Sequence, residues 1–206
     1  MGDWRLNVQC RVNEEQNLVS VMRQLHQAVL DCIDRKQVLP GLALMYATID
    51  ILASLERPAD QEATGSKEFK QWVENYMPLS VLNVTSDDLW AARCGLLHTF
   101  TPSSDKSRAG KARELHYVRG NANFVPFAQR EVDPSCSTKI VVDIDCLVES
   151  FQNGIMAFMQ EIIINPQKKT LTLQHSKKLF IHENYPKPNK FFNFVSWFTR
   201  SFLKTK

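Results

Sequence analysis

Apolar residues recur at helical spacing in several stretches of the chain. From residue 14 to residue 37, Leu18, Val21, Met22, Leu25, Val29, Cys32 and Ile33 fall on one stripe, which predicts an amphipathic helix. Pro40 and Gly41 break it, and Pro40 suits the first turn of the next helix, where its missing N–H costs nothing. That second helix, GLALMYATIDILASLER, is apolar on most faces and belongs in the middle of a bundle. Asp50 and Ser54 interrupt its apolar run. A carboxylate there needs a narrow exposed seam or a partner, because a bare buried charge is costly.

After the loop RPADQEATGS, Ser66 is the expected N-cap of a short helix, KEFKQWVENYM, that Pro78 ends. LSVLNV reads as a short extended piece. Thr85 then caps a third main helix, with Asp88 in the capping-box position and Asp87 beside it at the positive helix start. Leu89, Ala92, Leu96 and Phe100 form the apolar stripe of this helix. ELHYVRG and STKIVVDI read as strands, paired as a hairpin across the NANFVPFAQREVDPSC connection. Asp143 or Asp145 starts the fourth main helix, whose stripe of Leu147, Val148, Phe151, Ile155, Phe158, Met159 and Ile162 runs to Asn165-Pro166.

These elements predict a mainly α protein. An up-and-down helical bundle occupies residues 1–164, with a basic loop and small β insertion at 101–142, and residues 165–206 form a C-terminal helical extension. In the extension Phe191, Phe194, Val195, Phe198 and Phe202 fall on one helical stripe, expected to pack on protein. The chain has 206 residues and a net charge of +3, but the charge is uneven: residues 165–206 carry +8 and residues 1–164 carry −5. A basic end of that kind suits an anionic partner, nucleic acid or a membrane surface. The five cysteines form no CxxC or metal-finger spacing, and no apolar run approaches the ~18 residues of a membrane span. With no secretory leader pattern at the N-terminus, the reading is a cytoplasmic protein with free thiols and without metal or cofactor.

The third main helix carries the candidate chemistry. Arg93 is a fixed cation whose planar fork grips phosphate at two points, and His98 can pass a proton near neutrality. Together they meet the minimum for cleaving RNA without a metal, since the RNA supplies its own 2′-hydroxyl nucleophile. Five positions on an α-helix, however, set the two side chains about 140° apart. A second copy across a two-fold axis is therefore expected to complete the site. Behind the motif, Lys106, Arg108, Lys111, Arg113 and Arg119 outnumber the acids around them and could hold backbone phosphates.

The run Arg93-Cys94-Gly95-Leu96-Leu97-His98 resembles the R-x4-6-H motif of the HEPN superfamily (higher eukaryote and prokaryote nucleotide-binding domains). The resemblance extends to the position of the motif in the third main helix, after an apolar helix carrying an acid, and covers residues 14–164. It implies an all-α bundle that commonly forms a homodimer. It further implies a metal-independent endoribonuclease of the toxin–antitoxin or antiphage-defence kind, which an antitoxin or other protein partner would restrain. Arg93 and His98 would be the catalytic pair and Asp50 the supporting acid. Cys94 stands where the family usually has a polar residue. The alternatives are a non-catalytic RNA- or protein-binding module on the same fold, and a helical protein that binds a membrane surface or a partner through its basic aromatic end.

Overall fold

The computed structural model describes residues 14–120 and 122–179. The C-terminal aromatic stripe at 187–206 lies outside the described residues. The protein is mainly α, a helical bundle with one two-stranded sheet. Its helices are α1 (Glu14–Asp34), α2 (Val38–Glu56), α3 (Ser66–Tyr76), α4 (Ser86–Cys94), α5 (Asp105–Arg108), α6 (Val125–Val132), α7 (Ile144–Ile164) and α8 (Pro166–Ser176). The strands are β1 (Glu114–Val118) and β2 (Lys139–Asp143).

α2 is central, packing against α1, α3 and α8. Contrary to the expectation that no apolar run approaches a membrane span, α2 is, among the described residues, the one helix long and apolar enough to cross a membrane, and here Leu42, Met45, Tyr46, Ile49, Leu52 and Leu55 lie buried in the core. α3 and α7 complete that core with Phe69, Trp72, Phe151 and Phe158, and the Trp72 and Phe158 rings meet edge to face at 6.1 Å. The bundle continues past the expected boundary at residue 164, because α8 packs against α1, α2 and α7. Lys168 of α8 sits 4.8 Å from the centre of the Tyr76 ring and 2.8 Å from Glu161, and it also meets Glu56. The Tyr76 hydroxyl reaches Glu56 at 2.6 Å and Glu161 at 2.5 Å. One ammonium thus joins α2, α3, α7 and α8. Burial first, and then the two carboxylates, drive the Tyr76 phenol pKa up.

Several local expectations are corrected. Gly65, not Ser66, is the N-cap of α3, and the Glu68 carboxylate takes its N–H at 2.8 Å. Residues 79–82 form a 3₁₀ turn rather than an extended piece. The two strands pair in parallel, Glu114 opposite Lys139 and Val118 opposite Asp143, not as a hairpin. The cause lies in their connection. It contains α6, started by Pro126, and a helical crossover returns the chain in the same direction. Leu115, Ile140 and Val142 carry one face of this pair into the core. Asp143 is the N-cap of α7, its carboxylate taking the Cys146 N–H at 3.0 Å.

Candidate active site

α4 is fixed at its start by its own sequence. The Thr85 hydroxyl accepts from the Asp88 N–H at 3.1 Å, and Asp88 returns the bond to the Thr85 N–H at 2.9 Å. Asp88 is buried and also holds Arg113, through its backbone N–H at 2.7 Å and its guanidinium at 2.6 and 3.1 Å. Burial pushes the Asp88 carboxyl up, but the Arg113 and Thr85 bonds overrule it and hold its pKa below the usual carboxylate range.

At its other end α4 does not stop but widens. Residues Gly95–Thr99 wind as a π-helix. The Phe100 N–H is shared between the Gly95 and Leu96 carbonyls, and the Thr101 N–H also reaches back to Gly95 at 3.2 Å. A winding closed by i→i+5 bonds has more residues per turn than an α-helix. It narrows the separation of about 140° that an α-helix imposes on positions five apart. Arg93 Nη1 lies 3.0 Å from His98 Nε2 within a single chain. The same widening explains a second departure from expectation. Leu89, Ala92 and Leu96 are buried as the stripe requires, but Phe100 is 63% exposed, at a positive φ of 57° that ends the turn.

Gly95 makes the widened turn possible. A Cβ there would stand 2.5 Å from the Thr101 carbonyl oxygen and 3.0 Å from that of Ser103. The loop backbone folds directly over the glycine, so a methyl group would push it away. Gly95→Ala is expected to cost about 1–3 kcal/mol, the usual penalty for forcing a methylene into a packed site. It should also separate His98 from Arg93. Chemical denaturation, together with the side-chain resonances of His98, checks this; an alanine variant as stable as the native protein with an unchanged His98 signal refutes it.

Asp50 meets Arg93 from α2. One carboxylate oxygen, Oδ2, accepts from both Nε at 2.8 Å and Nη2 at 2.7 Å. The carboxylate therefore clasps the guanidinium along its side and leaves its far end toward His98. Burial pushes the Asp50 carboxyl pKa up, against the pull of Arg93 and His98, and the net direction is up. For Arg93 burial acts downward, but the Asp50 bond and charge overrule it, with a smaller contribution from the Cys94 thiol; the net direction is up, and the guanidinium stays charged. A third anchor, not anticipated from the sequence, is Trp90. Its ring centre lies 5.0 Å from the Arg93 guanidinium carbon and is braced by Phe69 at 5.2 Å. An aromatic three positions before an arginine on a helix was the available signal. Arg93 and Asp50 are largely covered, with side chains 18% and 27% exposed, whereas His98 faces solvent.

The proposed phosphate-binding cations part company. Arg113 is tied to Asp88 and to the Asn83 carbonyl at 2.9 Å, and Arg119 to Asp145 at 3.3 Å and to the Ile33 carbonyl. Both fasten the β insertion to the bundle. Lys106 pairs with Asp87 at 3.1 Å, and Arg108 pairs with Asp105 at the surface. Lys111 is exposed and makes no ion pair with a described residue. Among the described residues no three His, Cys, Asp or Glu side chains are grouped to hold a metal ion. Compared with the profiles of known families, with curated proteins and with solved structures, the chain matches none.

Proposed function

We propose that this protein is a metal-independent endoribonuclease in which Arg93 and His98 act on the scissile phosphate and Asp50 holds Arg93 in place. The observation that carries the reading is the unbroken chain Asp50–Arg93–His98, which runs from the covered face of α2 to a solvent-facing imidazole. The guanidinium has five N–H groups, of which Asp50 takes two and His98 one. One N–H remains on each terminal nitrogen, a pair that suits two oxygens of a phosphate. Water takes the 2′-hydroxyl proton as the 2′-oxygen attacks phosphorus, and His98, protonated when the phosphate enters, gives its proton to the leaving 5′-oxygen. Arg93 balances the charge that builds on the phosphate oxygens. One chain supplies the pair, so the chemistry needs no second copy. A homodimer, a restraining partner, and a toxin or antiphage role rest on the HEPN resemblance alone.

Most of the nearby cations are committed to acids of the protein, which weakens the track for RNA phosphates; the rival reading is a binding module that takes up RNA or protein without cutting it. A single experiment separates the two. Purified protein is incubated with single-stranded RNA and with DNA of the same sequence in EDTA. The expected products carry a 2′,3′-cyclic phosphate and a 5′-hydroxyl, and the DNA, lacking a 2′-hydroxyl, stays whole. RNA that is bound but uncut establishes the rival, and cutting that appears only with added Mg²⁺ rules out the mechanism.

A further inference from the structure

The contact between Arg93 and His98 has a direction. A guanidinium has no acceptor, so Arg93 donates and His98 Nε2 accepts, 3.0 Å away. A hydrogen bond in that direction requires a neutral imidazole with its proton on Nδ1. Its Nε2 lone pair, which must gain a proton before His98 can serve as an acid, is occupied by the residue meant to hold the phosphate. In this state the imidazole can act neither as base nor as acid through Nε2.

We infer that the contact is a gate, opened when an oxyanion and a proton enter the site together. An anion arriving at the far end of Arg93 meets two donors and, beside them, an imidazole lone pair. Two acceptors so close to each other repel. A proton from solvent on Nε2 removes the conflict. The Arg93–His98 hydrogen bond breaks, an Arg93–oxyanion bond replaces it, and His98 becomes a third donor to the same anion. The site passes from one cation and one carboxylate, Arg93 with Asp50, to two cations and one carboxylate, and the anion offsets the added charge. Among the described residues, the charged or titratable groups that act on Arg93 besides His98 are Asp50 on α2 and the Cys94 thiol on α4. Asp50 is already engaged, accepting from Arg93 Nε and Nη2. The proton therefore goes to His98 Nε2 as its bond to Arg93 breaks. Linkage makes the effect reciprocal: a bound oxyanion favours the proton, and the proton favours the oxyanion by the same factor.

The inference rests on the ribonuclease reading for the meaning of the site, but its test needs no RNA. The full chain is titrated with sulfate, which carries the phosphate geometry and does not itself titrate near neutrality, with sodium chloride of equal ionic strength as the control. Imidazole ¹⁵N resonances of His98 should show the neutral form with the proton on Nδ1 before sulfate and the doubly protonated form after it. Calorimetry in two buffers of different ionisation enthalpy should record proton uptake with sulfate binding. That uptake should vanish in His98→Gln, and sulfate binding itself should be lost in Arg93→Gln. A free protein with its proton on Nε2, sulfate that binds without changing His98, or no sulfate bound at Arg93 overturns the gate. RNA cleavage alongside any of those results leaves the ribonuclease standing without it. Proton-coupled sulfate binding in a protein that never cuts RNA leaves the gate and removes the ribonuclease.

Discussion

If the proposed chemistry holds, His98→Ala should lower the rate of RNA cleavage by about 10²- to 10⁴-fold, the usual contribution of a placed general acid or base. The variant is a clean one. The side chain faces solvent, it supports no core contact, and its loss leaves Arg93 clasped by Asp50 and Trp90. Stability should therefore stay within about 0.5 kcal/mol of native, as for most surface substitutions. Arg93→Lys should lose a comparable factor in rate. A lysine carries the charge, but it cannot clasp Asp50 along one edge and present a donor on each terminal nitrogen to a phosphate. Arg93→Ala is a poorer probe, since it strands the Asp50 carboxylate, whose burial already works against its ionised form. Single-turnover rates on one RNA of defined sequence decide the matter. Native protein and His98→Ala cutting at the same rate would mean that the nuclease is a contaminant.

Acid should weaken the fold well before the bulk of the carboxylates titrate, and His26 is the reason. It lies on α1, 1% exposed, with the Gln152 amide of α7 at 3.2 Å. Burial lowers its pKa from 6.5 to about 4. Between those values the unfolded chain binds a proton that the folded one refuses, so stability rises with pH across the window. The contribution is complete above pH 6.5 and lost as pH falls toward 4. A shift of that size is worth about 3 kcal/mol in all, of which about 2 kcal/mol is gone by pH 5. Urea unfolding at pH 7 and pH 5 should show the loss, and His26→Gln, which cannot titrate, should be less acid-sensitive by about that amount. An equal pH dependence in both proteins would assign the loss to other groups.

The helices were legible because their apolar spacing is strong, and Thr85, Asp88 and Asp143 announce the starts of α4 and α7. The paired strands were legible as strands but not in their direction. Direction depended on recognising VPFAQREV, with its early proline, as a helix rather than part of a loop. Of the candidate site, the grouping of Arg93, His98 and Asp50 was expected, but its geometry was not. Arg93, His98 and Asp50 are brought together, yet an α-helix drawn through Arg93 and His98 keeps them apart. What unites them is the π turn, which no periodicity announces, since its sole local sign is a glycine whose missing Cβ admits the loop from Thr101 to Ser103. The ion pairs of the basic residues behind the motif were not legible either. Counting charges along the chain does not reveal the acids that arrive from elsewhere, and Asp87, Asp88 and Asp145 claim three of the five cations.

Two of those claimed cations stand on either side of β1, Arg113 just before it and Arg119 just after. Between Arg119 and β2 the chain largely looks after itself. Gln129 bonds the Asp133 carbonyl and the Lys139 carbonyl and takes the Val141 N–H at 2.7 Å, while Asp133 gathers the N–H groups of Ser135, Thr138 and Lys139. The stretch behaves as a cassette clipped to the bundle at its ends. Lengthening it costs little, because the entropy of closing a loop grows only with the logarithm of its length. Insertions within residues 122–138 should therefore be tolerated as long as Gln129 and Asp133 keep their bonds to β2, while the turn that joins Arg93 to His98 can absorb none.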